Sequence, residues 1–596
     1  MCGINGQIND QGLIDPAVFN AKRDTLSHRG PDDASSWFSE DGRIALGFRR
    51  LSFLDLSVAG RQPMCNEESD IWLVFNGEIY NYLELREELR QLGHRFSSQT
   101  DAEVVLHGYE EWGHGVLSRL KGMFAFGIWD QKRKNLFLAR DRFGIKPLYY
   151  GQLEGSFQFA SEIKAMLHGE PRRPALNRHA IGDYLSYRYI PSPDTIWENI
   201  HKLPPGHFLH LHMGENGSAE KRVAQYWRPQ LGYQRIPVES AIEQVHSLLS
   251  QSVETHLRSD VPIGAFLSGG YDSSALVDYM TRQGCRPNTF SIGFEAWPQS
   301  EHLYAEMVAR HLQVPHFSAI ATKGELDLLD KLVYHYDEPI ADISIIPTYM
   351  VSKLAAAHNK AVFSGEGADE IFGGYWWQKD IARYSRFSAI NDGLLHRLMR
   401  RPSFFLEKYA EAMAMGRMNS ANLRDYLHAD TWEFINPQSE WFYNRHFRPF
   451  ERPLKAFQYL DICTFMGELV LTKMDRASMA HSLEVRVPFL DHELVEFMLS
   501  LDQKVYFRPE ETKFLLYANI RHSLPEAILQ RPKQGFVGPD TYYMDIPWYA
   551  GQLQNGALIQ QNILSREGLQ KMINEQDHWR LWKFTVLEKW VRRWHE

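Results

Sequence analysis

Cysteine is scarce in this chain. Four occur among 596 residues: Cys2, Cys65, Cys285 and Cys463. They form no CxxC pair and no metal-ligand spacing, which excludes a disulfide scaffold and makes a reducing, cytoplasmic setting the expectation. No run of about 18 apolar residues occurs, so no membrane span is expected. The opening Met-Cys-Gly-Ile-Asn-Gly lacks the basic and apolar regions of a secretion signal. The net charge of -9 is spread thinly, without a charged tail, and argues against nucleic acid or an anionic membrane as a partner. Repeats and low-complexity tracts are missing, and so is the GxxxxGK-Ser/Thr loop of the P-loop nucleotidases. What remains is ordinary globular composition, 44% hydrophobic and 23% charged, in a chain long enough for more than one domain.

Along the chain the character changes once. IWLVFNGEIYN (71–81), FAFGIWD (124–130) and NLFLARD (135–141) are short aromatic and β-branched runs parted by turn residues, and predict strands. Leu85, Leu89 and Leu92 predict a helix over 82–92 that stops at Gly93, and Thr100 with Glu103 has the spacing of a capping box opening a second helix. The pattern weakens over 200–237, which is rich in Pro and Gly. Beyond it, a helix (239–257), an apolar strand (262–267), a Gly-Ser loop and a helix (274–283) follow, then a strand at 289–294 and a helix at 302–312. Helices are expected to about 358 and a strand near 360–363. Strands alternating with helices imply a parallel sheet with ligands at the carboxyl ends of its strands. The rest is mainly helical and rich in Trp.

Cys2 is the first residue that carries chemistry. Loss of Met1 would give one residue both a thiol nucleophile and an α-amine able to take its proton. Alone, Cys2 is no more than a suggestion, Asn76-Gly77 is a turn pair, Arg50 a surface arginine and Asp101 a helix-start residue. Their surroundings change that reading. MCGI, HRGPD (28–32), RRLSF (49–53), FNGEIYN (75–81), TDAE (100–103) and RDRFGIKPLYY (140–150) occur in an order and spacing that resembles the glutaminase domain of class II glutamine amidotransferases, over roughly residues 2–210. The resemblance implies an Ntn-hydrolase αββα sandwich. It also implies that Cys2 attacks the glutamine amide, that Asn76 and Gly77 stabilise the oxyanion, that Arg50 pairs with the α-carboxylate, and that Glu78 and Asp101 hold the amide and ammonium ends.

The second constellation is SGGYDSS (268–274), after an apolar strand and opening a helix. Glycines, backbone N–H groups and serine hydroxyls suit a phosphate cradle, and Asp272 would require a cation such as Mg²⁺ between it and phosphate. The segment resembles the pyrophosphatase loop of ATP pyrophosphatases. With FSIGFE (290–295), DEPIADIS (337–344), SGEGADEIFGG (364–374) and KMDRASMAHSLEVRVPFLD (473–491) it resembles the synthetase domain of asparagine synthetases. That resemblance implies a C-terminal parallel-sheet ATP pyrophosphatase domain, of the adenine nucleotide α-hydrolase-like kind, with a helical C-terminal part. Ser268, Gly269, Gly270, Asp272, Ser273 and Ser274 would grip pyrophosphate, and Leu267 would bind ATP beside them. Ile292 would touch adenine, Ser364 and Gly365 would line the nucleotide, and Asp272 and Asp369 would hold Mg²⁺. Glu366 would stand near the reacting centre, and Lys533 of RPKQGF (531–536) would stabilise charge on the transferring phosphorus. Arg476 and Glu484 are expected as a structural ion pair, and Trp376-Trp377 as packing. Tyr271, where Leu or Ile is usual, and VGPDTYYM after RPKQGF depart from the family pattern around the acceptor.

The expected whole is an α/β multidomain enzyme: residues 2–210 a glutaminase, 211–237 a linker, 238–596 a synthetase. Its partners would be glutamine, ATP and a carboxylate acceptor, and the resemblance is compatible with a homodimer. Aspartate is the leading acceptor, with a sugar uronate or natural-product acid as the rival. A non-catalytic glutamine- or nucleotide-binding regulator should have lost Cys2, Asp272 or Lys533, and all three are present.

Overall fold

Twelve strands in the first 225 residues build two antiparallel six-stranded sheets, because their side chains must be covered on both faces. The computed structural model describes residues 2–214, 219–383, 394, 398, 403–449, 451–508, 510–532, 534–536 and 538–595. The strands are β1 (Gly3–Asn9), β2 (Asp33–Phe38), β3 (Ile44–Arg50), β4 (Met64–Cys65), β5 (Ile71–Ile79), β6 (Gly122–Asp130), β7 (Asn135–Arg140), β8 (Tyr149–Leu153), β9 (Ser156–Ala160), β10 (Ile200–Lys202), β11 (His207–Met213) and β12 (Ala219–Gln225). One sheet has the order β10-β8-β9-β1-β3-β2, the other β12-β11-β7-β6-β5-β4. Ile4, Leu46 and Phe48 of the first meet Val74, Trp129 and Leu138 of the second in a core between the sheets. The outer face of the second sheet presents Leu73, Phe75, Phe126 and Phe137 to Leu89, Val105 and Tyr109 of the helices Tyr82–Gln91 and Ala102–Trp112. Helices Pro16–Asp24 and Ile163–Leu167 cover the other outer face. This is the αββα sandwich the sequence motifs imply.

The expected capping box does not form. Asp101 occupies the cap position, and the Glu103 carboxylate reaches past Thr100 to accept the N–H groups of Ser97 and Ser98 at 2.6 and 2.8 Å. The reason is local: the chain at Asp101 is turned inward, where its own carboxylate accepts the N–H of Ile79 at 2.8 Å.

The second half is built on a parallel sheet of β13 (Ile263–Phe266), β14 (Thr289–Phe294), β15 (His316–Ala321), β16 (Ala361–Phe363) and β17 (Glu484–Arg486), in the order β15-β14-β13-β16-β17. The strands β15 and β17 were not expected: β15 falls where helices were anticipated, and β17 is three residues long inside a helical region. The order reverses between β13 and β16, so the crevice at their carboxyl ends is the switch point where such sheets bind ligands. The helix after β13 spans Tyr271–Arg282, three residues earlier than the pattern suggested, so Asp272 lies in its first turn.

The helical C-terminal part packs on the first half as well as on the parallel sheet. Trp582 and Trp590 of the last helix, His578–Trp594, are fully buried in a core shared with Tyr184, Leu185 and Trp197. Lys583 donates to the Leu185 carbonyl at 2.8 Å, and Tyr184 returns a hydrogen bond to the Lys583 carbonyl at 2.7 Å. No helix among the described residues is long and apolar enough to cross a membrane. Trp590→Ala empties the centre of this shared core and is expected to cost about 3–5 kcal/mol. A urea titration of the full chain checks it, and an unchanged midpoint would show that the last helix is not needed to hold the halves together.

Candidate active site

The first site straddles the two sheets of the sandwich. Cys2 directly precedes β1 of one sheet, and Asn76, Gly77 and Glu78 lie on β5 of the other. The Cys2 N–H donates to Asn76 Oδ1 at 3.0 Å, and the thiol points to the Leu51 carbonyl at 3.9 Å. Asn76 is fully buried, yet its Nδ2 has no partner. An unpartnered buried amide costs roughly 1–3 kcal/mol, and this one belongs to the side chain whose Oδ1 accepts the Cys2 N–H. Gly77 is required by packing: a Cβ there would stand 2.2 Å from the Met123 carbonyl on β6. Burial pushes the Cys2 thiol above its ordinary value, although the amino-terminal charge, Leu51 and Arg50 pull the other way. Such a thiol needs a base at hand to become a nucleophile.

Arg50 closes β3, is buried, and spends its guanidinium on the loop that follows: Nη1 donates to the Ser57 carbonyl at 2.8 Å and Nη2 to those of Leu54 and Asp55. Desolvation raises Glu78 well above the carboxylate range against the pull of Arg486, and raises Asp101 to about 6. Cys2, Asn76, Gly77, Glu78, Arg50 and Asp101 therefore belong to one buried region.

The second site sits at the switch point. Gly269 turns the chain at φ +72°, and a Cβ there would meet the backbone of Tyr304 at 2.6 Å. The Ser268 N–H donates to Ser273 Oγ at 3.1 Å, which shapes the loop, while Ser274 Oγ is buried without a partner. Leu267 and Ile292 are buried, and the Leu267 N–H ties β13 to the Phe290 carbonyl at 2.8 Å. Ser364, Gly365 and Glu366 follow β16. Gly365 packs on the neighbouring loop so closely that a Cβ would lie 2.9 Å from Asp272 Cβ. Glu366 is half-buried at the turn before Gly367.

Asp272 and Asp369 are brought together, and a residue that motif reading missed joins them. Lys513 Nζ grips both oxygens of Asp272 and lies 2.7 Å from Asp369 Oδ1. Against the cost of burial, these carboxylates hold the ammonium above its ordinary value. Two hard oxygen donors converging on one cation suit Mg²⁺ as they suit an ammonium. Lys533 lies outside the described residues. Its neighbour Arg531 donates to the Ser268 carbonyl at 3.1 Å and covers the Tyr304 ring, so this segment does flank the loop. Tyr271 donates to the Leu529 carbonyl, fastening the same segment to the helix start. Trp376 is 63% exposed while Trp377 stacks on Tyr375, so packing describes only the second of the pair.

Arg476 and Glu484 are not partners of each other. Arg476 pairs with Glu162 at 2.8 Å, across to the first half, and Glu484 pairs with Arg486 at 2.6 Å. Arg486 in turn reaches Glu78 at 3.1 Å, and its carbonyl accepts the Ser364 N–H at 2.9 Å. One residue of β17 thus touches both sites. Arg29, from the HRGPD segment, donates to the Cys2 carbonyl at 3.1 Å and makes two hydrogen bonds to Asp475 of the second half, at 2.8 and 3.0 Å.

A thiol at a strand start inside a two-sheet sandwich, joined to a Gly-Ser loop at the switch point of a parallel sheet, defines the class: an Ntn-type glutamine amidotransferase half fused to an ATP-pyrophosphatase-type half. A family model described as Asparagine synthase matches residues 244–592, and one described as Glutamine amidotransferase domain matches residues 1–227. The chain belongs to the asparagine synthase family. It is 33% identical to asparagine synthetase (glutamine-hydrolyzing) 1 of Bacillus subtilis, over 91% of this chain and 88% of that one. It is 32% identical to a Mycobacterium bovis protein named putative asparagine synthetase (glutamine-hydrolyzing), over 99% and 97%. A solved glutamine phosphoribosylpyrophosphate amidotransferase from B. subtilis overlaps 53% of this chain and 65% of its own at 16% identity, with a TM-score of 0.29 that adds nothing to the argument.

Lys513→Met would remove the ammonium that Asp272 and Asp369 share. The expected loss is roughly 2–3 kcal/mol, less than for a fully buried pair because both carboxylates keep some solvent contact. Added Mg²⁺ should recover part of that loss in the variant and change the wild type little, read as urea midpoints. Equal responses would remove the carboxylate pair as a cation seat.

Proposed function

We propose that this protein forms asparagine from aspartate, using glutamine as nitrogen donor and ATP as activator. The observation that carries this reading is the sharing of Arg486 between the Cys2–Asn76 region and the Ser364 end of the nucleotide loop. In this reading glutamine enters beside Cys2. With Met1 removed, the Cys2 α-amine keeps its contact to Asn76 and gains a lone pair that takes the thiol proton. The thiolate adds to the amide carbon, the oxyanion accepts a hydrogen bond from the idle Asn76 Nδ2 with the Gly77 N–H as the second donor, and the proton held by the α-amine passes to the leaving nitrogen. Ammonia leaves, and water releases glutamate from the thioester. Arg50 meets the α-carboxylate, and Asp101 and Glu78 meet the nitrogen ends.

At the other site the acceptor carboxylate attacks the α-phosphorus of ATP and pyrophosphate departs. The serines and backbone of 268–274 cradle the leaving group, and Ser364, Gly365 and Ile292 seat the nucleoside. Mg²⁺, held by Asp272 and Asp369, would neutralise the charge on pyrophosphate. Lys513, already between those carboxylates, is placed to follow the phosphates, a part the sequence motifs gave to Lys533. Glu366 stands by to take a proton as ammonia displaces AMP and leaves the amide. Ammonia must travel between the sites unprotonated, so a dry route past Arg486 and the buried, unpartnered Lys146 ammonium, whose pKa burial lowers, fits the chemistry. We place the reaction in the cytoplasm, with small molecules as its partners.

Incubation with glutamine, ATP, Mg²⁺ and a panel of carboxylates tests this. Aspartate-dependent pyrophosphate release with matching glutamate is expected, and release with a uronate but not aspartate would overturn the acceptor. Cys2→Ala should lower glutamine use by roughly 10³-fold or more while sparing the reaction with ammonium salts. Persisting glutamine use would overturn the nucleophile.

Asp101 gives a pH prediction. A carboxyl held near 6 by burial is neutral below that value, and can balance an ammonium only above it. kcat/KM for glutamine should therefore rise with pH through about 6 and level off, falling to about a tenth one unit below the midpoint. Asp101→Asn should lie at least about tenfold lower at high pH and lose this acid limb. An identical limb in the variant would assign it to another group.

A further inference from the structure

Away from both sites, two imidazoles face one carboxylate oxygen on the outer side of the glutaminase half. His94 lies in the loop after the helix Tyr82–Gln91, and His107 and Glu110 lie on the helix Ala102–Trp112. Glu110 Oε2 is 3.2 Å from His107 Nδ1 and 3.5 Å from His94 Nδ1, and the three ligand atoms all lie within 4.8 Å of one another. Tetrahedral zinc with bonds of about 2.0–2.1 Å sets its ligand atoms about 3.3 Å apart, so both separations match one edge of a coordination tetrahedron. Glu67 Oε2, 3.9 Å from His107 Nδ1, is close enough to be a fourth ligand after a small rotation.

The atoms behind these ligands are also arranged as a metal site requires. His94 Nε2 meets Glu111 Oε2 at 3.2 Å, and His107 Nε2 meets Glu103 Oε1 at 3.8 Å, so each ring turns its far nitrogen to a carboxylate and its Nδ1 to Glu110. Carboxylates behind metal-bound imidazoles fix the tautomer and strengthen the ligand. Glu110 Oε1 accepts from Asn66 Nδ2 at 3.1 Å, and Glu67 Oε1 accepts the Arg95 N–H at 3.0 Å. Each carboxylate is thus held by one oxygen while the other faces the imidazoles. Packing adds to this, because His107 is buried with the edge of its ring against Phe96. A hydrogen-bonded cluster of protonated histidines would need no such division of each carboxylate into an anchored and an offered oxygen.

We propose that His94, His107 and Glu110, with Glu67 as fourth ligand, bind a divalent transition metal of the zinc type. The ion would clamp the turn at 66–67 and the loop at 94–98 to the helix that starts directly after Asp101. The site is separate from the reaction and braces the segment that carries a wall of the glutamine region.

The test uses the full chain, stripped with a chelator, dialysed, loaded with Zn²⁺ and passed through a desalting column. Metal analysis should find one zinc per wild-type chain that is missing from His94→Gln and His107→Gln, while Glu111→Gln should bind 10–100-fold more weakly. His94 is partly solvent-facing, so its variant keeps the test open if His107→Gln misfolds. Zinc taken up by Cys2 is common to all the proteins and cancels in the comparison. Zn²⁺ should raise the melting temperature of the wild type with the logarithm of free metal, and by more than that of His94→Gln, and Co²⁺ should give in the wild type tetrahedral visible bands that His94→Gln lacks. Equal zinc content in the wild type and His94→Gln, or a wild type that retains none, overturns the proposal.

Discussion

A guanidinium removed from water is tolerable only where charges and acceptors surround it, and Arg486, fully buried on a three-residue strand, is surrounded from both halves of the molecule. Glu484 pairs with it from its own strand and Glu78 from β5, and the carbonyls of His256 and Arg258 accept from Nη1 at 2.6 and 2.8 Å. Glu484 illustrates the strength of this setting. Burial alone would raise its carboxyl, yet Arg486, with the amino-terminal charge and Lys146, brings it down to about 2. Loss of the guanidinium would take a shared partner from Glu78 and Glu484 and loosen the strand whose backbone positions Ser364. The region around Glu78 and the loop that begins at Ser364 are therefore not independently adjustable.

The same logic extends across the interface. Arg29, Glu162 and Lys164 from the first half interlock with Asp475, Arg476 and Asp337 from the second, all buried. Buried ion pairs add little stability relative to apolar packing, but they penalise any arrangement in which one partner is missing. They suit a boundary that must have one register. The apolar grip comes from the shared core around Trp582 and Trp590. Affinity and alignment are thus supplied by different groups, and Arg29, bonded both to the Cys2 carbonyl and to Asp475, carries alignment directly to Cys2.

Much of the site was legible in the sequence because its parts are local. The loop 268–274 needs glycine where the chain turns at positive φ and where Tyr304 approaches, and those needs are met within seven residues. Asn76 and Gly77 were legible for a similar reason, since neighbouring β-strand positions supply the contact to Cys2 and the close approach to β6. Lys513 was not legible. It lies in an ordinary charged segment and becomes special only because the fold carries its Nζ between two carboxylates that are themselves distant in the chain. Nor was the pairing of Arg476 and Glu484: they were expected to pair with each other, but Arg476 reaches Glu162 of the first half and Glu484 reaches Arg486 on its own strand.

The sequence by itself determined the sandwich and the parallel sheet, and singled out Cys2, Asn76, Gly77 and the Gly-Ser loop 268–274, because hydrophobic period and turn chemistry act over short stretches. Tertiary structure alone decided β17, Lys513, the role of Arg486 and the histidine cluster at His94 and His107. These depend on where buried charges find partners, and the cost of leaving a charge unpaired in a dry interior is settled only when distant segments meet.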